Sequence, residues 1–213
     1  MMDEHFITTP RSARYFTLGD PKTATERWIV LHGYSNLAAR FLERFRPIAT
    51  NRRCVVAPEG LSRFYLTERP TERRVGASWM TREDRQHEID DYVRYLNAVY
   101  AEVAAAAAPV TLLGFSQGTA TACRWTAFGS ALVSRLIIWG GDVPPDLDLG
   151  QPPVAERLRA ARLTLVYGTH DEFFTPKVVA ATEARLKDAS VPYELRSYEG
   201  GHQIDEAALR SLV

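Results

Sequence analysis

Hydrophobic positions along the chain switch repeatedly between two spacings. Short apolar runs that stop at glycine or proline alternate with longer stretches in which apolar residues recur at three- and four-residue steps. The runs Arg14–Gly19, Glu26–His32, Arg53–Ala57, Val110–Phe115, Arg135–Trp139, Leu163–Tyr167 and Tyr193–Tyr198 read as strands. Leu37, Phe41, Phe45 and Ile48 mark one helical face. Ile89, Tyr92, Val93, Leu96, Tyr100 and Val103 mark a second, which Pro109 stops. Further helices are expected after Ser116, near Val154–Ala161, over Pro176–Asp188 and at the end of the chain. Segment 59–82 breaks the alternation: it is polar, rich in arginine and without period, and is expected to form a loop on the substrate side.

Strands separated by helices of this length pair in parallel through right-handed crossovers. The expected fold class is therefore α/β in three layers, a mostly parallel central sheet with helices on both faces. A length of 213 residues with 46% hydrophobic content suits one domain over residues 1–213 with a sizeable core.

Charge narrows the functional classes. Lys plus Arg equals Asp plus Glu at 26 each, so the chain has no net pull toward nucleic acid or an anionic membrane. Val103–Ala108, among the longest apolar runs, falls well short of the roughly 20 residues that span a bilayer, and no stable membrane insertion is expected. The first ten residues lack a basic region followed by an apolar core, which speaks against a secretory signal. Cys54 and Cys123 read as buried thiols of a reducing compartment, and the expected location is cytoplasmic.

Candidate chemistry concentrates at strand ends. His32, Ser116, Asp142, Asp171 and His202 each follow a separate expected strand, the place where ligands gather in sheets of this kind. Gly114-Phe-Ser116-Gln-Gly118 reads as a strand–turn–helix that presents one hydroxyl, with glycines where backbone must pass close by. A serine hydroxyl is a poor nucleophile until a base takes its proton, and the base needs a carboxylate to hold its tautomer. Ser116, Asp171 and His202 supply the three groups in that chain order. Glu172 competes for the acid, and Asp171 is preferred because a shorter arm suits a turn directly after a strand. Gln117, at the start of a helix, offers an unpaired backbone N–H to an oxyanion.

With Leu31-His-Gly-Tyr34, Gly168-Thr-His-Asp171 and Gly201-His202, the serine motif resembles the α/β-hydrolase superfamily. Glutamine after the serine is similar to the phospholipase/carboxylesterase branch, which includes the acyl-protein thioesterases. The resemblance runs from about Trp28 to the end of the chain. It implies an α/β-hydrolase fold without a large cap domain, and a second oxyanion donor on the backbone of Tyr34. The sequence departs from the branch at Tyr34-Ser-Asn36, where small residues usually follow His-Gly, and at Trp139-Gly-Gly141, where the branch tends to have Ser-Gly.

Trp79, Met80, Phe173 and Phe174 are candidate substrate-binding residues, each also explicable as packing. Arg63, Arg69, Arg73 and Arg74 read either as a solvated loop or as partners for a phosphate or carboxylate. His32 reads as a brace for its loop. No metal-ligand spacing and no dinucleotide glycine pattern occur, so neither metal nor cofactor is expected. The expected activity is a serine carboxylesterase acting through an acyl-enzyme on short or medium acyl esters, possibly thioesters, as small-molecule substrates. Two alternatives are a non-catalytic ligand-binding protein on the same scaffold and a small serine peptidase. Oligomeric state is left open.

Overall fold

A computed structural model describes residues 1–67, 73–104 and 108–213; Arg69 lies outside them. In chain order the strands are β1 Tyr15–Leu18, β2 Glu26–Leu31, β3 Arg53–Pro58, β4 Ser62–Tyr65, β5 Val75–Ser78, β6 Val110–Phe115, β7 Val133–Trp139, β8 Leu163–Gly168 and β9 Tyr193–Tyr198. The helices are α1 Ala38–Leu42, α2 Arg85–Val103, α3 Gln117–Phe128, α4 Pro152–Ala160, α5 Pro176–Asp188 and α6 Glu206–Arg210. Seven strands form one sheet in the order β1-β3-β2-β6-β7-β8-β9, and only β1 runs antiparallel to its neighbour.

Side chains alternate across this sheet and build two cores. Ile29, Leu31, Val56, Leu112, Leu136, Ile138 and Leu165 face one side, where they meet Ile89, Leu96 and Val99 of α2, Ala122 and Trp125 of α3, Val154 and Leu158 of α4 and Leu186 of α5. Val30, Val55, Leu113, Ile137, Trp139 and Val166 face the other, against Phe41 of α1, Phe45, and Leu209 of α6. Both faces of the central strands are covered, which is why those strands read as unbroken apolar runs. Cys54 of β3 and Cys123 of α3 are free thiols inside the first core. Among the described residues no helix is long and apolar enough to cross a membrane.

Two elements differ from the sequence expectation. The helical face from Leu37 to Ile48 splits into α1 and a 3-10 helix, Glu43–Ile48, containing Pro47. Proline has no N–H to donate to the carbonyl four residues back, so a continuous α-helix cannot close there. Segment 59–82 is not wholly loop: β4 and β5 pair as an antiparallel ribbon, Ser62 opposite Ser78 and Tyr65 opposite Val75. Its first strand alternates half-buried with exposed residues and carries Arg63 outward, so it lacks the apolar run by which the central strands are recognised.

Candidate active site

Ser116 occupies the corner between β6 and α3 with φ 54° and ψ −119°, a conformation that costs a non-glycine residue on the order of 1–3 kcal/mol. Its neighbours hold it there. Ser116 N donates to Trp139 O at 3.0 Å, and its carbonyl accepts from Thr119 N at 3.0 Å and Thr119 Oγ1 at 2.6 Å. A methyl on Gly118 would lie 2.3 Å from Leu31 O, and one on Gly114 2.3 Å from Gly118 O. Only glycine at both positions lets α3 sit this close behind the sheet, so the motif's spacing follows from the packing.

His202 lies on the loop after β9. Tyr198 Oη is 2.8 Å from Gly201 O and 2.6 Å from Gln203 O, and Trp139 Nε1 donates to Gln203 O at 2.9 Å. The indole of Trp139, one of the positions where the sequence departs from the branch, therefore pins the histidine loop. His202 Nδ1 stands 2.8 Å from Asp171 Oδ2. Because a carboxylate accepts only, the proton belongs on Nδ1, which leaves Nε2 with a lone pair that meets no donor among the described residues. Asp171 is held in turn: its Oδ1 accepts the backbone N–H groups of Phe173 and Phe174, both at 2.9 Å. Its side chain is buried, whereas Glu172 is exposed. Gly140 makes room for the pair with φ +60°, where an added methyl would meet the His202 ring at 3.2 Å and Asp171 Oδ2 at 3.3 Å.

Ser116 and His202 line one cleft of about 470 Å³, walled by Phe41, Phe115, Phe173 and Ile204. The His202 ring packs between Phe115 and Phe173, with centroids at 4.8 and 4.9 Å. Tyr34, exposed and stacked at 5.2 Å on Phe64 of β4, lies at the same cleft. The backbone N–H groups of Tyr34 and Gln117 meet no acceptor among the described residues.

The loop carrying Tyr34 and the start of α3 are tied through the end of β5. Ser35 N donates to Ala77 O at 2.9 Å, and Trp79 Nε1 donates to His32 O at 2.8 Å. Gln117 Oε1 accepts from Trp79 N at 3.1 Å, while Gln117 Nε2 donates to Met80 O at 2.9 Å. The glutamine that distinguishes the serine motif thus locks the end of β5 to the turn and does not line the cleft.

The structure divides the other sequence candidates. Trp79 is 1% exposed and packs on His32 and Tyr92, and Phe174 is 2% exposed against Tyr167. Neither lines the cleft that holds Ser116 and His202; a buried indole N–H requires an acceptor, and His32 O supplies it. Met80 is half-buried and likewise off the cleft. Phe173 is 74% exposed and on it. Burial raises the carboxyl of Asp142 above its ordinary value. Arg63 approaches Glu59 at 3.6 Å. The cleft's own arginines, Arg40 and Arg44, were not singled out in the sequence. Their four-residue spacing beside Phe41 is visible in the chain, but nothing there tells which side of this helical segment faces a cleft.

Comparison with known proteins follows this geometry. No curated protein sequence matches the chain. An acyl-protein thioesterase 2 from Zea mays superposes with a TM-score of 0.72 at 18% identity, over 94% of this chain and 96% of that one. The esterase PE8 superposes at 0.68 with 19% identity, over 95% and 96% of the two chains. A Bacillus cereus carboxylesterase superposes at 0.67 with 12% identity, over 94% and 91%. At such identities the likeness establishes the fold. The sequence itself matches the phospholipase/carboxylesterase family over residues 20–213, nearly its full length. With that match lying on an α/β-hydrolase fold, the chain belongs to the phospholipase/carboxylesterase family and is a hydrolase of esterase or thioesterase type.

Proposed function

We propose that this hydrolase cleaves carboxylic esters through Ser116, His202 and Asp171. The observation that carries the reading is the 2.8 Å contact of His202 Nδ1 with a buried, doubly anchored Asp171, on a ring that shares a cleft with a strained serine. In the reaction His202 Nε2 takes the hydroxyl proton as Ser116 Oγ attacks the acyl carbonyl. The same imidazolium returns the proton to the leaving alkoxide as the carbon–oxygen bond breaks. Water, deprotonated by His202, then attacks the acyl-enzyme, and the carboxylic acid leaves with Ser116 restored. Asp171 keeps the proton on Nδ1 and stabilises the imidazolium. The backbone N–H groups of Tyr34 and Gln117 receive the oxyanion, a role supported by their freedom from other acceptors; losing one such donor costs about 3 kcal/mol in related chemistry.

A cleft of about 470 Å³ walled by three phenyl rings and an isoleucine suits a short or medium acyl chain. The mechanism takes a thioester without added chemistry, because thiolate is the better leaving group. We place the activity in the cytoplasm, a reading supported by two unpaired cysteines in one chain.

The decisive experiment is labelling with a fluorophosphonate probe together with turnover of short p-nitrophenyl esters. The probe is expected on Ser116. Ser116→Ala is expected to lose both the label and at least about 10⁴-fold in kcat/KM. Activity retained by that variant overturns the mechanism.

A further inference from the structure

Helix α1 leaves the Tyr34 loop at the mouth of the cleft and passes directly into the 3-10 helix Glu43–Ile48. Arg40, and Arg44 four residues on, both line the cavity that contains Ser116 and His202, and both are exposed. Neither meets a carboxylate among the described residues: the neighbouring acid, Glu43, is bound through both oxygens to Arg46. Elsewhere Arg53 pairs with Glu26, Arg94 with Asp91, Arg124 with Asp146 and Arg210 with Glu206. Among the described residues the cleft wall contains no aspartate or glutamate. In a chain of zero formal net charge, two guanidinium groups with no carboxylate partner among the described residues thus stand at the cleft that contains the serine and histidine.

Charge of one sign along a cleft with apolar walls focuses potential and raises the local concentration of oppositely charged ligands. Guanidinium groups match carboxylate and phosphate oxygens through paired N–H donors. We propose that Arg40 and Arg44 make the site selective for esters and thioesters that carry an anionic group, carboxylate or phosphate. The inference rests on the reading of Ser116 as nucleophile and names the substrate class for it. The phenyl-lined part of the cleft takes the apolar portion, and the arginine rim takes the charge.

The test uses two substrate pairs with the purified full chain. p-Nitrophenyl butyrate is compared with mono-p-nitrophenyl glutarate, which adds a carboxylate on the acyl side. S-butyryl-N-acetylcysteamine is compared with butyryl-coenzyme A, which adds phosphates on the leaving group. In the wild type at least one anionic member is expected to have the higher kcat/KM, through a lower KM, with the advantage shrinking as salt is added. The first pair reports a carboxylate preference and the second a phosphate preference. The double variant Arg40→Gln/Arg44→Gln is expected to lower the anionic-to-neutral ratio by about tenfold, and Arg40→Lys/Arg44→Lys to recover most of it. Ratios in the double glutamine variant that stay within about twofold of wild type for both pairs overturn the inference. Absence of turnover for all four substrates overturns instead the reading of the site on which the inference rests.

Discussion

His32 and His202 each follow a strand at the same edge of the same sheet, yet their rings live in opposite circumstances. His32 is fully buried, and both nitrogens are engaged: Nδ1 donates to Gly33 O at 2.8 Å and Nε2 accepts from Gly60 N at 2.9 Å. A backbone carbonyl on one side and a backbone N–H on the other permit only the neutral tautomer, and burial pulls the ring's pKa below its ordinary value. His202 is one-fifth exposed and has a carboxylate on one nitrogen and an open cleft before the other. Position at a strand end gives a histidine the opportunity to react. What decides is whether its second nitrogen is left free.

The largest effect should come from His202→Gln. A drop in kcat/KM on the order of 10⁴ is expected with p-nitrophenyl esters, alongside an unfolding free energy in urea lowered by only about 1 kcal/mol. His32→Leu should do the reverse. It orphans two buried backbone groups, so about 2–3 kcal/mol of stability should be lost, read as a lower urea midpoint. If His32→Leu abolished turnover in a fully folded protein while His202→Gln mainly unfolded it, the distinction between the rings would be erased.

The smallest effect sharpens the same comparison through pH. The folded state keeps His32 neutral, whereas the unfolded chain protonates it below about pH 6.5, so there the unfolded state binds more protons. Stability from this ring is complete above that pH and is lost as pH falls toward the lowered folded-state value, at no more than about 1.4 kcal/mol per pH unit. Urea midpoints of wild type and His32→Leu should accordingly draw together between about pH 7 and pH 5. Parallel curves would mean that His32 titrates alike in both states.

Much of this arrangement is visible in one dimension because strand ends are. An apolar run that stops at glycine marks where a side chain emerges, and Ser116, Asp171 and His202 follow such runs. Of the two neighbouring acids it is Asp171, the shorter, onto which the turn after β8 brings the backbone donors of Phe173 and Phe174. The aromatic residues are harder to place. Trp79, which follows an arginine-rich stretch, has the look of a pocket residue; its indole instead joins a core, through a hydrogen bond to His32 O that spans 47 positions. Arg40 and Arg44 pose the opposite difficulty. They look like ordinary solvated helix residues, and their meaning depends on loops that arrive from Phe173 and His202, more than a hundred residues later. The β4–β5 ribbon escaped notice because a two-stranded sheet with one exposed face needs no apolar run.

The two cysteines have a practical consequence for enzymology. Burial pushes the Cys54 thiol up to about 11 and the Cys123 thiol up to about 12, and only thiolates react with aromatic disulfide reagents. Such a reagent can therefore be left in the cuvette while a thioester is being cleaved. At mildly alkaline pH the colour that develops counts released product alone, and the catalyst is not consumed by its own detector.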